Sequence, residues 1–357
     1  MTASYPATPE TIRTALADGM VIPAHPLALT AERKLDERRQ RALSRYYLDA
    51  GAGGLAVGVH TTEFAIHDPK IGLYKPVLRL AIETVRAWRP DRSTVMVAGI
   101  CGRTGQAVRE AQLAREIGYD LGLISLGALK DADDAGLIDH CRQVAEAMPI
   151  MGFYLQPAAG GRILSEAFWS QLAEIPNLAA IKIAPFNRYQ TLAVVRGVAA
   201  SGRAERVALY TGNDDAIIVD LLTRYEIAVN GRTVRMSIAG GLLGHWAFWT
   251  RRAVEQLEQI KNIRDAAAIP AELLTLAAQV TEANEAVFDP SHGFAGCISG
   301  ILYVLTRTGL LETVRTIDDR ERLSPGQTEK IDRIAERYPH LTDEEFVKQN
   351  LARWLKG

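Results

Sequence analysis

Short apolar runs recur along the chain at close to regular intervals. They stand at 20–27 (MVIPAHPL), 54–59 (GLAVGV), 94–100 (TVMVAGI), 121–126 (LGLISL), 149–156 (PIMGFYLQ), 179–184 (AAIKIA), 207–212 (VALYTG) and 234–239 (VRMSIA). Near-continuous apolar runs of this length predict parallel strands covered on both faces, and not the alternating strands of a half-exposed sheet. Between them lie segments with apolar residues at helical spacing. TGQAVREAQLAREIGYD sets Ala107, Ala111, Leu113, Ala114 and Ile117 on one face, and LSEAFWSQLAEI opens with Ser165 as an N-cap. Eight strands alternating with helices over about 220 residues predict a closed (β/α)₈ barrel, because parallel strands need crossover connections. An open doubly wound sheet is the alternative, weakened because IPAHPLALT stands where a GxGxxG fingerprint would follow the first strand. After residue 242 the pattern is helical only. The expected division is a barrel over 1–242 and a C-terminal helical extension over 243–357, packed on the barrel.

Composition excludes more than it selects. The chain has 357 residues, 48% hydrophobic and 23% charged, with a net charge of -1. Such a balance gives no reason to expect nucleic acid or an anionic membrane as a partner. No run approaches the roughly 20 apolar residues of a membrane span, and MTASYPATPETIRTALADG lacks the form of a signal peptide. Cys101, Cys141 and Cys297 are scattered and form no CxxC, so free thiols and a cytoplasmic location are expected.

One residue does not fit its surroundings. Lys182 sits inside AAIKIA, and of the nine lysines it alone lies in an apolar strand. A buried lysine without a partner is rare. It either snorkels to an edge, pairs with a buried carboxylate, or has a chemical task. In a barrel the active site lies at the C-terminal strand ends. Those ends present His25, His60, Thr61, Thr62, Gly99, Ser125, Tyr154, Lys182, Thr211, Gly212, Asn213 and Ser237. An ammonium held among apolar groups loses solvation, so its pKa falls and a neutral amine can attack a ketone to form a Schiff base. A tyrosine hydroxyl can shuttle protons for that step, and threonine hydroxyls with backbone N–H groups can hold a 2-oxo acid carboxylate.

These residues resemble the dihydrodipicolinate synthase and N-acetylneuraminate lyase superfamily of pyruvate-type class I aldolases. FYLQP carries Tyr154 and Pro157 like the family's Y-x-x-P, and Lys182 follows 28 residues later. TGNDD (211–215) is similar to its S/T-G-x-D loop, IPAHPLALT to its opening strand, and GVHTTEF to its G-T-T-G-E carboxylate loop. The resemblance covers about residues 18–310 and implies a barrel with a C-terminal helical extension. It implies Lys182 as the Schiff-base residue and Tyr154 as the proton relay. Thr61 and Thr62 would then bind the carboxylate, with Gly212, Ser237 and Ile238 around the keto acid. Aligning GVHTTEF on Gly58 instead brings His60 into a binding place. No metal and no cofactor beyond the substrate imine is implied; the family habit is a homotetramer, and a homo-oligomer, dimer or tetramer, is expected here.

The departures from the family matter as well. SLGALKDADD has no aromatic residue where dihydrodipicolinate synthase carries a second tyrosine, Arg162 is displaced in YLQPAAGGRIL, and KIAPFNRY replaces the common KEA. The half of the site that meets the second substrate is therefore rewritten. The reading is a Schiff-base aldolase, lyase or dehydratase acting on pyruvate or a related 2-oxo acid. The alternatives are a barrel that binds or senses a 2-oxo acid or sugar acid without turnover, and a metal- or phosphate-dependent barrel with Lys182 as a clamp. GICGRTGQ reads as a structural turn, His67 as a surface-loop residue, and the His245, Trp246, Trp249 stripe as packing.

Overall fold

The computed structural model describes residues 4–90 and 93–356. Its centre is a ring of parallel strands: β1 (Val21–Pro23), β2 (Gly54–Val57), β3 (Val95–Ile100), β4 (Leu121–Ile124), β5 (Ile150–Leu155), β6 (Leu178–Ala184) and β7 (Ala208–Thr211). Strand β8 (Arg224–Val229) and strand β9 (Arg232–Leu243) follow. The order β1-β9-β7-β6-β5-β4-β3-β2 runs round the ring, with β8 paired to β9 alone. Closure between β1 and β2 rests on the parallel bridge Ala24↔Ala56 and the bond from His25 N to Ala56 O at 2.8 Å. The fold is the (β/α)₈ barrel that the alternation of apolar runs and helices predicts.

Two apolar layers follow from the two-residue period of the strands. Ile22, Val97, Leu123, Met151, Phe153, Ala180, Tyr210 and Leu242 fill the lumen, while Tyr154, Ile181, Ile183 and Leu209 pack outward against the helix ring. Ser165 caps the helix Glu166–Ala173, its hydroxyl accepting Phe168 N at 2.9 Å.

The eighth barrel strand corrects the sequence reading. Residues 224–243 form an antiparallel hairpin whose turn is Asn230–Gly231, both at positive φ. Only the end of β9 enters the ring: Ile238 pairs with Leu209, Gly241 with Thr211, and Leu243 with Pro23. The mouth end of this strand is thus Leu242–Leu243, and 234–239 is its entry into the barrel.

Beyond Leu243 the described residues carry helices Thr250–Ile263, Glu272–Phe288, Cys297–Arg307, Gln327–Arg337 and Glu344–Trp354. The last docks on helix Glu37–Ala50: Trp354 is fully buried, its Nε1 donates to Asp49 at 2.7 Å, and its ring meets Tyr46 at 5.4 Å. Among the described residues no helix is long and apolar enough to cross a membrane.

Candidate active site

The mouth of the barrel opens into a cavity of about 490 Å³ with Lys182 in its wall. Lys182 is 6% exposed and sits on the lumen face of β6, opposite Phe153 on β5 and Tyr210 on β7. Its Nζ stands 4.6 Å from the Phe153 ring centroid. Gly212 makes room for it, since a Cβ there would come within 2.7 Å of Lys182 Cε. Burial pushes the Lys182 ammonium down from its ordinary range, and the nearby charge of Asp214 only partly restores it. Asp214 lies in the TGND turn after β7, 5% exposed, with Oδ1 accepting His245 N at 2.8 Å. Burial drives its carboxyl upward, against the pull of that amide and of Lys182. The two groups are thus drawn close in proton affinity, so a proton can pass between the amine and the carboxylate at little cost.

His60 and Thr61 belong to the short 3₁₀ turn His60–Thr62 and line the same cavity. Desolvation, helped by the charge of Lys182, lowers His60 to about 4, so its imidazole is neutral near pH 7. Thr61 Oγ1 donates to Ala24 O at 2.7 Å and Thr62 Oγ1 to His25 O at 2.6 Å. Thr62 Oγ1 also accepts Gly58 N at 3.0 Å, which makes Thr62 the support of this turn. Both hydroxyl protons are committed to carbonyls, so neither is free to donate to an incoming carboxylate.

Three expected site residues stand elsewhere. Because Phe153 pairs with Lys182, the next residue, Tyr154, faces outward: it is fully buried, its hydroxyl accepts Leu164 N at 3.2 Å, and its ring lies 5.2 Å from Trp169. Ser237 and Ile238 are at the opposite end of the ring, because β9 enters the barrel at Ile238. Ser237 lines a groove with Arg206 and Arg235 at that end. Gly212, by contrast, lies in the cavity wall.

Other residues were not anticipated. Glu63 and Asp214 lie within quoted motifs, GVHTTEF and TGNDD, yet went unassigned, and Phe153 was hidden because face assignment needs the strand register. Phe186, Phe288, Phe294, Asp318, Arg320 and Glu321 also line the cavity, and all but Phe186 come from the C-terminal extension. Spacing along the chain carries no signal for such long-range approaches. His67 is no surface residue: it is 7% exposed, with Nδ1 3.0 Å from Glu110 and Nε2 2.8 Å from Gly58 O. Desolvation opposes its charge, but the neighbouring Cys101 and Glu110 side chains outweigh it and raise it to about 10. Among the described residues no three His, Cys, Asp or Glu side chains cluster as a metal site would need.

A model of the dihydrodipicolinate synthetase family matches residues 19–234. The chain belongs to that family. Within it, 4-hydroxy-tetrahydrodipicolinate synthase of Moorella thermoacetica is 27% identical over 262 residues, spanning 72% of this chain and 81% of that enzyme. The corresponding synthase of a Cyanothece species is 26% identical over 231 residues, 63% of this chain and 71% of its own. Among solved structures, dihydrodipicolinate synthase from Acinetobacter baumannii complexed with pyruvate superposes with a TM-score of 0.72 at 17% identity, covering 89% of this chain and 98% of its own. N-acetylneuraminate lyase from Fusobacterium nucleatum gives 0.69 at 16%, covering 90% and 98%. At such identities these two structures share the fold with this dihydrodipicolinate synthetase family member.

Proposed function

We propose that this protein is a class I lyase of the dihydrodipicolinate synthetase family in which Lys182 forms an imine with pyruvate or a related 2-oxo acid. The observation that carries the reading is a desolvated lysine with a depressed pKa in the wall of a barrel-mouth cavity, beside a carboxyl whose pKa is raised. The neutral amine attacks the ketone carbon and forms a carbinolamine. Loss of its hydroxyl as water gives the iminium, which accepts the electron pair left when an α-proton departs. The resulting enamine adds to an aldehyde, or the same steps run in reverse and cleave a C–C bond.

Protons in these steps need a carrier other than Tyr154, whose hydroxyl faces the helix layer. Asp214 is suited to it: it senses the Lys182 charge, and its raised pKa lets it hold or release a proton near neutrality. The substrate carboxylate would lie against the turn of His60 and Thr61. We further propose that the protein acts in the cytoplasm as a homo-oligomer, which size-exclusion chromatography with light scattering checks.

Incubation with pyruvate and borohydride, followed by peptide mapping, tests the imine. A reduced pyruvyl adduct on the peptide containing Lys182, missing in Lys182→Ala, is expected. No adduct with pyruvate or with a panel of other 2-oxo acids would sink the reading.

A further inference from the structure

The cavity is unevenly charged. Its inner end holds Lys182. Toward the mouth stand the carboxyl groups of Glu63, Asp318 and Glu321, and Asp214 adds a fourth beside the lysine. Among the described residues, the one other lysine or arginine in the lining is Arg320, and its guanidinium is already bound to both oxygens of Asp318. Arg162, the displaced arginine of the family pattern, is turned away: it donates to Leu129 O at 2.6 Å and Ala132 O at 2.8 Å.

Glu63 differs from an ordinary acidic rim residue. It is 3% exposed and takes φ of 66°, a left-handed conformation unfavourable for a residue with a Cβ. When Thr61 and Thr62 are set on the two threonines of G-T-T-G-E, it occupies the glycine position. One carboxyl oxygen, Oε2, is anchored by the amides of Ile317 at 2.8 Å and Asp318 at 3.2 Å. The other, Oε1, is buried and has no hydrogen-bond partner. Glu321 is half-buried, and its Oε2 is likewise buried and unpartnered. A buried acceptor left unpaired is costly, which makes it a waiting half of an interaction. Burial raises Glu63 to about 7, with the charges of Glu321 and Asp318 adding to the effect.

On the footing of the proposed imine at Lys182, we infer that Glu63 and Glu321 form the subsite for the second reactant. That reactant is a small aldehyde bearing hydrogen-bond donors, hydroxyl or ammonium groups, and no carboxylate. The unpartnered oxygens accept from those donors. A carboxylate there would face two or three acidic groups with no unengaged cation to receive it, and like charges in a partly desolvated site repel strongly. Glu63 thus sets specificity at the position where the family pattern has no side chain.

The test supplies pyruvate with three aldehydes: glyceraldehyde for hydroxyls, 3-aminopropanal for an ammonium, and succinic semialdehyde for a carboxylate. Aldol product is followed by mass spectrometry, with borohydride trapping of the pyruvate adduct run in parallel. One or both donor-bearing aldehydes should exceed succinic semialdehyde by at least about 100-fold in kcat/KM, and the faster of the two identifies the donor. In Glu63→Gln that ratio should collapse by about 10- to 100-fold, the usual weight of a charge-assisted hydrogen bond. Glu321→Gln, at a half-buried position, should move it in the same direction by less and guards against a folding defect. A trapped adduct with succinic semialdehyde preferred, with no donor-bearing aldehyde used, or with a ratio unmoved in both variants overturns the inference while leaving the imine in place. Absence of the adduct overturns the imine itself.

Discussion

The two ends of the cavity are built in different ways. The inner end comes from strands: Lys182, Phe153 and Gly212 hold their places through the register of β5, β6 and β7. The outer end comes from segments far apart in the chain, with Glu63 reaching amides 254 and 255 residues away. The inner end is relaxed backbone, whereas Glu63, Phe186 and Phe294 around the outer end all hold positive φ at non-glycine residues. Each such residue costs about 1–3 kcal/mol, and this strain gathers where the cavity meets incoming molecules. A nucleophile can thus be fixed by the periodicity of a barrel, while discrimination rests on irregular chain held under tension.

Removing the inner end should have the largest effect. Exchange of pyruvate methyl protons in D₂O, followed by NMR, should fall by at least about 10³-fold in Lys182→Ala, because among the described residues no other lysine lines the cavity. Substantial residual exchange would relocate the chemistry. Gly212→Ala should cost about 10- to 100-fold in the same assay, since the new methyl meets Lys182 Cε at 2.7 Å. An unimpaired variant would show that the lysine tolerates displacement.

The outer end depends on the docking of the extension. Trp354→Ala should lower stability by about 3–5 kcal/mol in urea unfolding, from the loss of a fully buried indole and its bond to Asp49. A loss below about 1 kcal/mol would mean that the last helix docks weakly.

Glu63 gives the comparison a pH signature. Its folded pKa, about 7, is raised above the ordinary 4.5, so the native state binds the proton more tightly than the unfolded chain does. Stability from this group therefore falls as pH rises between about 4.5 and 7, then levels off. The Tm of the wild type minus that of Glu63→Gln should drop by a few degrees from pH 5 to pH 7.5. A flat difference would mean that the carboxyl is ionised throughout.

Smallest should be Tyr154→Phe. It removes one bond to Leu164 N behind the strand, so stability should fall by about 1–2 kcal/mol. Methyl-proton exchange should change less than about threefold. A loss of a hundredfold would return the hydroxyl to the chemistry.

The same division governs what could be read in advance. Apolar runs marked the strands and exposed the anomaly of Lys182, because burial on both faces leaves a compositional trace. The eighth strand was placed too early because its barrel portion, Ile238–Leu243, contains Gly240 and Gly241, which break the apolar run. The Asn-Gly turn at 230–231 was the available sign of a hairpin. Tyr154 matched a motif by spacing, yet which face it takes depends on how β5 pairs with β6, and a shift of one residue reverses every side chain. The approach of residues 317–321 to Glu63 left no local mark at all, since it is set by how the extension folds back.

The seam of the barrel has a consequence for how the molecule breathes. Strand β1 is three residues long and joins β2 through the single bridge Ala24↔Ala56. The hydroxyls of Thr61 and Thr62 grip the carbonyls of Ala24 and His25 at that junction. The turn that would face a substrate carboxylate is therefore also the staple across the weakest join in the wall. An anion seated on that turn would tighten the whole ring, and the His25 amide would exchange with solvent more slowly. A small acid bound at one loop would thus act as a hoop around the barrel.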